Sequence, residues 1–406
     1  MSSLRILMIS HDNNGLSKTA RSLNVATHIA DKVDDCSILV LTDLSIIGKF
    51  RFPQNVDFVH LPGIVYKSNR EFRARSLNIH NKKTLKIRRK IAQSTAKTFR
   101  PHLVVVEGDP NKLPAEMRRT LYYVREELPK TKIIWSLPDI VGDPERVKST
   151  WEAHLVYKMF KRLVDEVWVY GSKSVFDQTA HYGYPAEIAH KVVHTGYLKC
   201  ANNGSDRAPK EILSQSLKKP FVLVNAGSGL QSFPLIESYL RFLEKAGDNF
   251  ECQSMIVTGP MMAKREKELL LQRAAGLENV TIHRFMKSIC QYVKHAELVL
   301  NTGGYNSLCE ILGYNKRAVL VPTIGARYEH FTRAKTFDGR GVIKMLHPED
   351  LSPGKLGDLI MTMLKMNPQM TLGNSVRDIA MDGLDVVVER TRELFGASEM
   401  RLQQTG

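Results

Sequence analysis

Short, continuous runs of Val, Ile and Leu recur along the chain, separated by longer amphipathic stretches. In the first half the runs fall at residues 5–9, 37–41, 57–60, 103–106, 132–135, 166–170 and 192–194. In the second they fall at 221–225, 254–258, 280–283, 298–301, 318–321 and 342–344. Most do not alternate between apolar and polar, which predicts parallel strands buried on both faces. The stretches between them carry apolar residues at helical spacing, notably at 17–30, 114–127, 147–163, 235–246 and 306–312. Repeated strand–helix units of this kind predict an α/β fold of doubly wound sheets.

The pattern breaks at residues 198–219, a polar segment without a long apolar run, and restarts at Phe221. The break suggests an N-terminal Rossmann-like domain over 1–198, a linker over 199–219 and a second Rossmann-like domain over 220–372. A C-terminal helix and tail would occupy 373–406, the helix running over about 375–394 with Gly383 as an interruption. Open α/β sheets bind ligands at the carboxyl ends of their strands, so a cleft between the halves is the expected site.

Candidate chemistry concentrates at strand-to-helix turns. In LVLNTGGYNSLCEILGYNKRAVLVP, residues 298–322, a strand ends at Asn301 and two glycines, Gly303 and Gly304, open a helix that closes at Gly313. Glycines let the backbone approach a ligand, and the N–H groups of the following turn, with Asn306 and Ser307, suit a diphosphate. Glu310 lies four residues after Asn306, on the same helix face, and is placed to reach two vicinal ribose hydroxyls. An ordinary strand–turn–helix with a solvated glutamate would look the same. A second turn, Gly227, Ser228 and Gly229, follows the first strand of this half, although Ser232 stands where a dinucleotide fingerprint has its third glycine. A third segment, PTIGARYEHFTRAKTF at 322–337, carries Arg327, Glu329, His330 and Arg333. These residues can bind sugar hydroxyls or phosphate, or simply form a solvated helix start.

In the first half, ILMISHDNNGLSKTARSLNVA at residues 6–26 reads as strand, polar loop and helix, with His11 and Asp12 at the strand end. A histidine neutral near pH 7 is a candidate general base for a hydroxyl. Asp12 and Asp109 stand behind it as catalytic candidates, and Lys18 and Arg21 as contacts for an anionic acceptor or leaving group. Capping of the turn by the His–Asp pair is the plain alternative.

Charge adds a second theme. The 406 residues carry a formal net charge of +16, which implies an anionic partner. Twelve basic residues and one acid, Glu71, fall at residues 67–100, so eleven of the sixteen surplus charges sit in one segment. Residues 82–99 have helical character there, with Leu85, Ile87 and Ile91 as the apolar positions. A solvated basic helix, contact with anionic lipid headgroups and contact with an anionic acceptor all fit. Basic residues near such a lipid surface contribute about 1 kcal/mol each. Nucleic acid is disfavoured, because only Phe72 and Phe99 interleave the charge and no nucleic-acid motif is present. No run of about 18 uncharged apolar residues marks a transmembrane helix. The five cysteines are odd in number and lack a C-x-x-C pair, so neither a disulfide framework nor a cysteine zinc site is expected.

Together these residues resemble the donor half of GT-B glycosyltransferases, of the family 28-like type that contains the peptidoglycan UDP-N-acetylglucosamine transferase. They resemble a group of bacterial glycosyltransferases of that type most nearly. The start His11-Asp12-Asn13-Asn14-Gly15-Leu16 fits that group, as do LPAEMRRTL (113–121), DIVGDPERVKSTW (139–151), EVWVYGSKSVFD (166–177) and HKVVHTGYL (190–198). The resemblance spans nearly the whole chain and is weakest between Gly48 and Thr98. It implies two Rossmann-like domains facing a central cleft, with the donor on the second, the acceptor on the first and the C-terminal helix crossing back to the first. It implies a hexosyltransferase-type enzyme moving sugar from a nucleotide diphosphate, UDP most of all, with inversion and without a metal or other cofactor. The D-x-D motif is indeed missing, Asp143-Pro144-Glu145 being its nearest approach. Gly227, Ser228, Gly229, Gly303, Gly304, Asn306 and Ser307 would hold the diphosphate and Glu310 the ribose. Arg327, Glu329 and His330 would take the sugar or phosphate, and the backbone at Phe285 and Met286 the base.

The first turn departs from the relatives, which commonly read Gly-Leu-Gly-His where this chain reads Gly15-Leu16-Ser17-Lys18. That leaves His11 as the base candidate and keeps two rivals open: a sugar-nucleotide-binding protein with weak or lost catalysis, and a nucleotide-sugar epimerase. A cytoplasmic location, with peripheral contact at the inner face of the membrane, completes the expectation.

Overall fold

The computed structural model describes residues 3–12, 15–66, 72–200, 219–286, 289–325, 328–366 and 378–403. The chain forms two compact units. The first joins Met1–Ala201 to Ala380–Gly406, and the second is Asn202–Ile379.

The first unit holds β1 (Leu4–Ser10), β2 (Cys36–Thr42), β3 (Val56–His60), a hairpin of β4 (Ile64–Tyr66) and β5 (Phe72–Ala74), then β6 (Leu103–Glu107), β7 (Lys132–Pro138), β8 (Glu166–Tyr170) and β9 (Val192–His194). Its parallel sheet has the order β3-β2-β1-β6-β7-β8-β9. Every residue of β6 is buried, which explains why its sequence is a continuous apolar run rather than an alternating one. Winding runs outward in both directions from β1 and β6. These two strands therefore form the switch point where an open α/β sheet leaves a crevice at its carboxyl edge.

The second unit repeats this plan with β10 (Phe221–Asn225), β11 (Gln253–Val257), β12 (Val280–His283), β13 (Leu298–Asn301), β14 (Ala318–Leu320) and β15 (Lys344–Met345). The order is β12-β11-β10-β13-β14-β15, all parallel, with the switch point between β10 and β13.

Six helices position the chemistry: α1 (Ser17–Lys32), α2 (Asn81–Phe99), α3 (Ala115–Glu127), α4 (Tyr305–Gly313), α5 (Tyr328–Gly339) and α6 (Gly383–Gln403). The last belongs to the first unit. It buries Leu384, Val387 and Val388, sets Asp385 2.8 Å from His28 of α1, and pairs Arg390 with Glu166.

Two expectations need correction. The helix expected at 147–163 is two helices, Pro144–Ala153 and Val156–Leu163, because Leu155 between them is left-handed with φ 56°. The terminal helix starts at Gly383 rather than running through it. The basic helix α2 buries Thr84, Arg88, Ala92 and Ala96; of its apolar positions Leu85 and Ile91 are half-buried and Ile87 is 38% exposed. Arg88 turns inward to Asp43 and Glu116. Among the described residues no helix is long and apolar enough to cross a membrane.

Candidate functional site

Each switch point carries polar side chains. In the second unit Asn225 and Asn301 end β10 and β13 and stand opposite one another in the register. They do the same work on the two strands. The Asn225 Oδ1 accepts the Gly227 N–H at 3.1 Å, and the Asn301 Oδ1 accepts the Gly303 N–H at 2.8 Å. Each asparagine thus bends its own strand end into the glycine turn that follows. Asn225 Nδ2 also donates to Ser307 Oγ at 3.2 Å, and Asn301 Nδ2 to the Asn225 carbonyl, so the two turns are tied together. Asn301 was expected only as a strand end and Asn225 was not singled out, yet each lies two residues before a glycine at a strand end, in NAG and NTG.

The glycines are required by the packing. Gly229 has φ +91°, and a Cβ there would lie 2.5 Å from the Thr258 carbonyl oxygen. Gly303 has φ +84°, and a Cβ there would lie 3.0 Å from the His330 carbonyl oxygen. Gly304 caps α4 in an extended conformation. Both turns present backbone at a helix start, the arrangement that binds phosphate.

Along α4, Tyr305, Ser307, Leu308, Cys309, Ile311 and Leu312 are buried, whereas Asn306 and Glu310 share the half-buried side. Glu310 Oε2 is itself buried and has no hydrogen-bond partner. Burial pushes the Glu310 carboxyl up to about 8. A shielded acceptor without a donor is a place for a ligand hydroxyl.

α5 closes the wall behind Gly303. His330 is buried, its Nδ1 2.9 Å from Thr323 Oγ1, and its Nε2 is 3.8 Å from where a Gly304 Cβ would be. Arg333 is 1% exposed, lies over the Tyr305 ring and donates through Nη1 to the Gly303 carbonyl at 3.0 Å. It therefore holds the turn in place. Glu329 is half-buried on the first turn of α5. Ser228 is buried and its carbonyl accepts the Met261 N–H at 2.9 Å. Phe285 and Met286 are half-buried just beyond β12. Arg327 lies outside the described residues.

At the first unit's switch point the candidates separate into different roles. His11 is 4% exposed, its Nδ1 is 2.6 Å from Asp43 Oδ2, and its Nε2 is buried without a partner. Burial, opposed by Asp43 and reinforced by Arg88 and Lys18, holds the imidazole below the usual histidine range. A neutral histidine oriented by a carboxylate, with its second nitrogen unengaged, is the arrangement of a general base.

Asp12 is engaged by the start of α1. Its Oδ2 accepts the Thr19 N–H at 2.7 Å and its Oδ1 the Lys18 N–H at 3.4 Å, so it caps α1. Asp109 Oδ1 accepts from Asn111 N at 3.0 Å and Trp151 Nε1 at 3.1 Å. Arg21, expected as an anion contact, is buried and closes on Glu107 Oε1 at 2.6 Å. Its charge faces the interior because Glu107 ends the fully buried β6. Lys18 folds back, its Nζ donating to the His11 carbonyl at 3.0 Å while its stem passes over Gly108. Asp43, Arg88 and Glu116 were missed, because they come from the end of β2, from α2 and from α3, far apart in sequence; Asp43 and Arg88 reach His11, and Glu116 reaches Arg88.

Residues 221–381 match the glycosyltransferase family 28 C-terminal domain, and the two doubly wound sheets have the GT-B fold. The chain is 26% identical over 220 residues to the UDP-N-acetylglucosamine--N-acetylmuramyl-(pentapeptide) pyrophosphoryl-undecaprenol N-acetylglucosamine transferase of Bacillus cytotoxicus, covering 53% of this chain and 56% of that protein. The chain therefore spans just over half the length of the curated relatives it matches. Its fold matches the crystal structure of Acinetobacter baumannii MurG with a TM-score of 0.59 at 16% identity, over 96% of this chain and 99% of that one. It also matches a Listeria monocytogenes protein described as a UDP-N-acetylglucosamine 2-epimerase, with a TM-score of 0.61 at 11% identity, over 100% of this chain and 98% of that one.

Proposed function

We propose that the protein is a glycosyltransferase that moves a sugar from a nucleotide diphosphate sugar, UDP-linked, to an acceptor hydroxyl. The observation that carries the reading is Glu310: a shielded carboxylate oxygen without a partner, one helical turn beyond two glycine turns, within a family 28 donor-type domain. The diphosphate takes the backbone of residues 227–229 and 303–307, and the ribose takes Glu310. Glu329 and His330 border the sugar, and the backbone at Phe285 and Met286 meets the base. Backbone N–H groups and the α4 dipole stabilise the leaving diphosphate as its charge develops. His11 accepts the proton of the attacking hydroxyl through Nε2, and inversion follows from a single in-line displacement.

The test is a panel of nucleotide sugars with alcohol, sugar and lipid acceptors, followed by nucleoside diphosphate release and analysis of the sugar product. Acceptor-dependent release from a UDP-sugar, with the anomeric configuration inverted, is expected. Release with inversion at a sugar ring carbon and no acceptor would replace this reading by the epimerase. Thermal stabilisation by the donor without release would replace it by the binding protein.

The basic segment supports a second element of the reading, peripheral contact with an anionic membrane. Lys82, Lys83, Lys86 and Lys90 project from α2 into solvent, and Leu77, Ile79 and Ile87 are exposed beside them at 45%, 40% and 38%. At about 1 kcal/mol per basic residue, four lysines suffice for reversible binding. The protein is expected to sediment with vesicles containing phosphatidylglycerol and not with neutral vesicles. High salt or the triple variant Lys82→Glu, Lys83→Glu and Lys86→Glu should release it. Equal binding to both vesicle types would contradict the proposal.

A further inference from the structure

Arg88 is the charged residue on the buried face of α2, and it is fully buried. Its Nε donates to Glu116 Oε1 at 2.7 Å, and its Nη1 donates to the Pro62 carbonyl at 2.6 Å and Asp43 Oδ2 at 3.3 Å. Its Nη2 stands 3.2 Å from His11 Nδ1. The same Nδ1 is 2.6 Å from Asp43 Oδ2, while Asp43 Oδ1 accepts the Asp12 N–H at 3.1 Å.

These contacts decide which ring nitrogen bears the proton. A bare lone pair on Nδ1 would face an anionic oxygen at 2.6 Å. Nδ1 must therefore be the donor, and Arg88 Nη2 beside it is a neighbouring cation rather than a hydrogen-bond donor to the ring. Burial works against charge on Asp43, but His11, Arg88 and the Asp12 N–H outweigh it and hold its carboxyl well below the usual range.

We propose that Arg88 is a positioning residue for His11: it fixes Asp43 as the acceptor of the Nδ1 proton and so leaves Nε2 as the proton-accepting atom. The proposal rests on the reading of His11 as the base. The groups facing the ring are Asp43 from the end of β2, Arg88 from α2 and Lys18 from α1. Glu116 of α3 acts only through Arg88, and the Asp12 carboxylate is turned to α1. In the transfer step the acceptor oxygen bonds to the anomeric carbon as the bond to the nucleotide diphosphate breaks. The hydroxyl proton moves to Nε2, the imidazolium is held on Asp43, and the proton leaves to solvent after product departs. The Arg88 cation beside the ring disfavours that imidazolium, so the proton is not retained.

Heteronuclear NMR of the His11 imidazole in the full chain tests this. The wild type should show the Nδ1–H tautomer. The double variant Arg88→Met, Glu116→Gln removes the buried cation together with one carboxylate partner. In it, the His11 titration should move to higher pH. The value of kcat/KM near pH 6, relative to pH 8, should then fall about tenfold with KM little changed. Asp43→Ala, which removes the acceptor without burying a new charge, should abolish the Nδ1–H preference, and it serves if the double variant does not fold. An Nε2–H tautomer in the wild type would overturn the proposal. So would a wild-type titration midpoint in the folded double variant, or an unchanged tautomer in Asp43→Ala. If no acceptor supports turnover the transferase reading falls, and the NMR results still decide the role of Arg88.

Discussion

Replacing Glu310 by alanine is expected to weaken UDP binding about a hundredfold, since two charge-assisted hydrogen bonds of about 1.5 kcal/mol or more each disappear. The carboxylate has the properties that make such a loss large: Oε2 is shielded and has no protein partner to fall back on. Its pH dependence has a definite sign. Burial pushes the carboxyl from 4.5 up to about 8, so without ligand the side chain is mainly protonated at neutral pH. Two ribose hydroxyls favour the ionised form, so UDP affinity should rise as pH increases through about 8 in the wild type. It should stay nearly flat in Glu310→Gln. Stability runs the other way. A raised folded-state pKa contributes stability that is fully present below 4.5 and is lost as pH rises through about 8. The glutamine variant without nucleotide should therefore melt higher than the wild type near pH 9, although it binds UDP less well. Calorimetric titration and thermal melting across pH read both effects. A flat wild-type affinity profile would remove Glu310 from the ribose site.

The second large effect is expected at His11. Conversion to glutamine should lower kcat about 10²–10⁴-fold, the usual contribution of a positioned general base. UDP binding should be unchanged, because the donor elements belong to the second unit. The wild-type imidazole, held below the usual histidine range mainly by burial, stays neutral at pH values where a solvated histidine is charged. Activity should therefore persist below pH 6.5, the ordinary histidine value. The same group contributes stability that is present above 6.5 and is lost as pH falls toward its lowered folded value. Asp109→Ala should lower thermal stability through Trp151 and leave kcat nearly intact. A His11→Gln enzyme with wild-type kcat would show that the base lies elsewhere.

What the chain displayed in advance follows a physical division. Strands β6, β8 and β13 were legible because burial on both faces demands continuous apolar runs, and the turns after β10 and β13 because glycine is needed where φ is positive. Glu310 and His11 were legible from their position one step beyond those elements. Arg88 was not. It sits among lysines and arginines that are solvated, and only the three-dimensional approach of Asp43 and Glu116 marks it as different. Arg21, Asp12 and Asp109 show the converse. Each is a functional residue type next to the carboxyl end of a strand, and protein partners engage it: Glu107 for Arg21, the α1 backbone for Asp12, and Asn111 and Trp151 for Asp109. Asn225 and Asn301 were hidden by their apparent ordinariness, since an asparagine two residues before a glycine is common in turns.

In the proposed function the second unit holds a nucleotide diphosphate at the carboxyl ends of β10 and β13. A crystal structure of the full chain soaked with UDP should show the diphosphate against the backbone of residues 227–229 and 303–307, with both ribose hydroxyls on Glu310. UDP bound elsewhere, or a Glu310 carboxylate that makes no contact with the ribose, would contradict it.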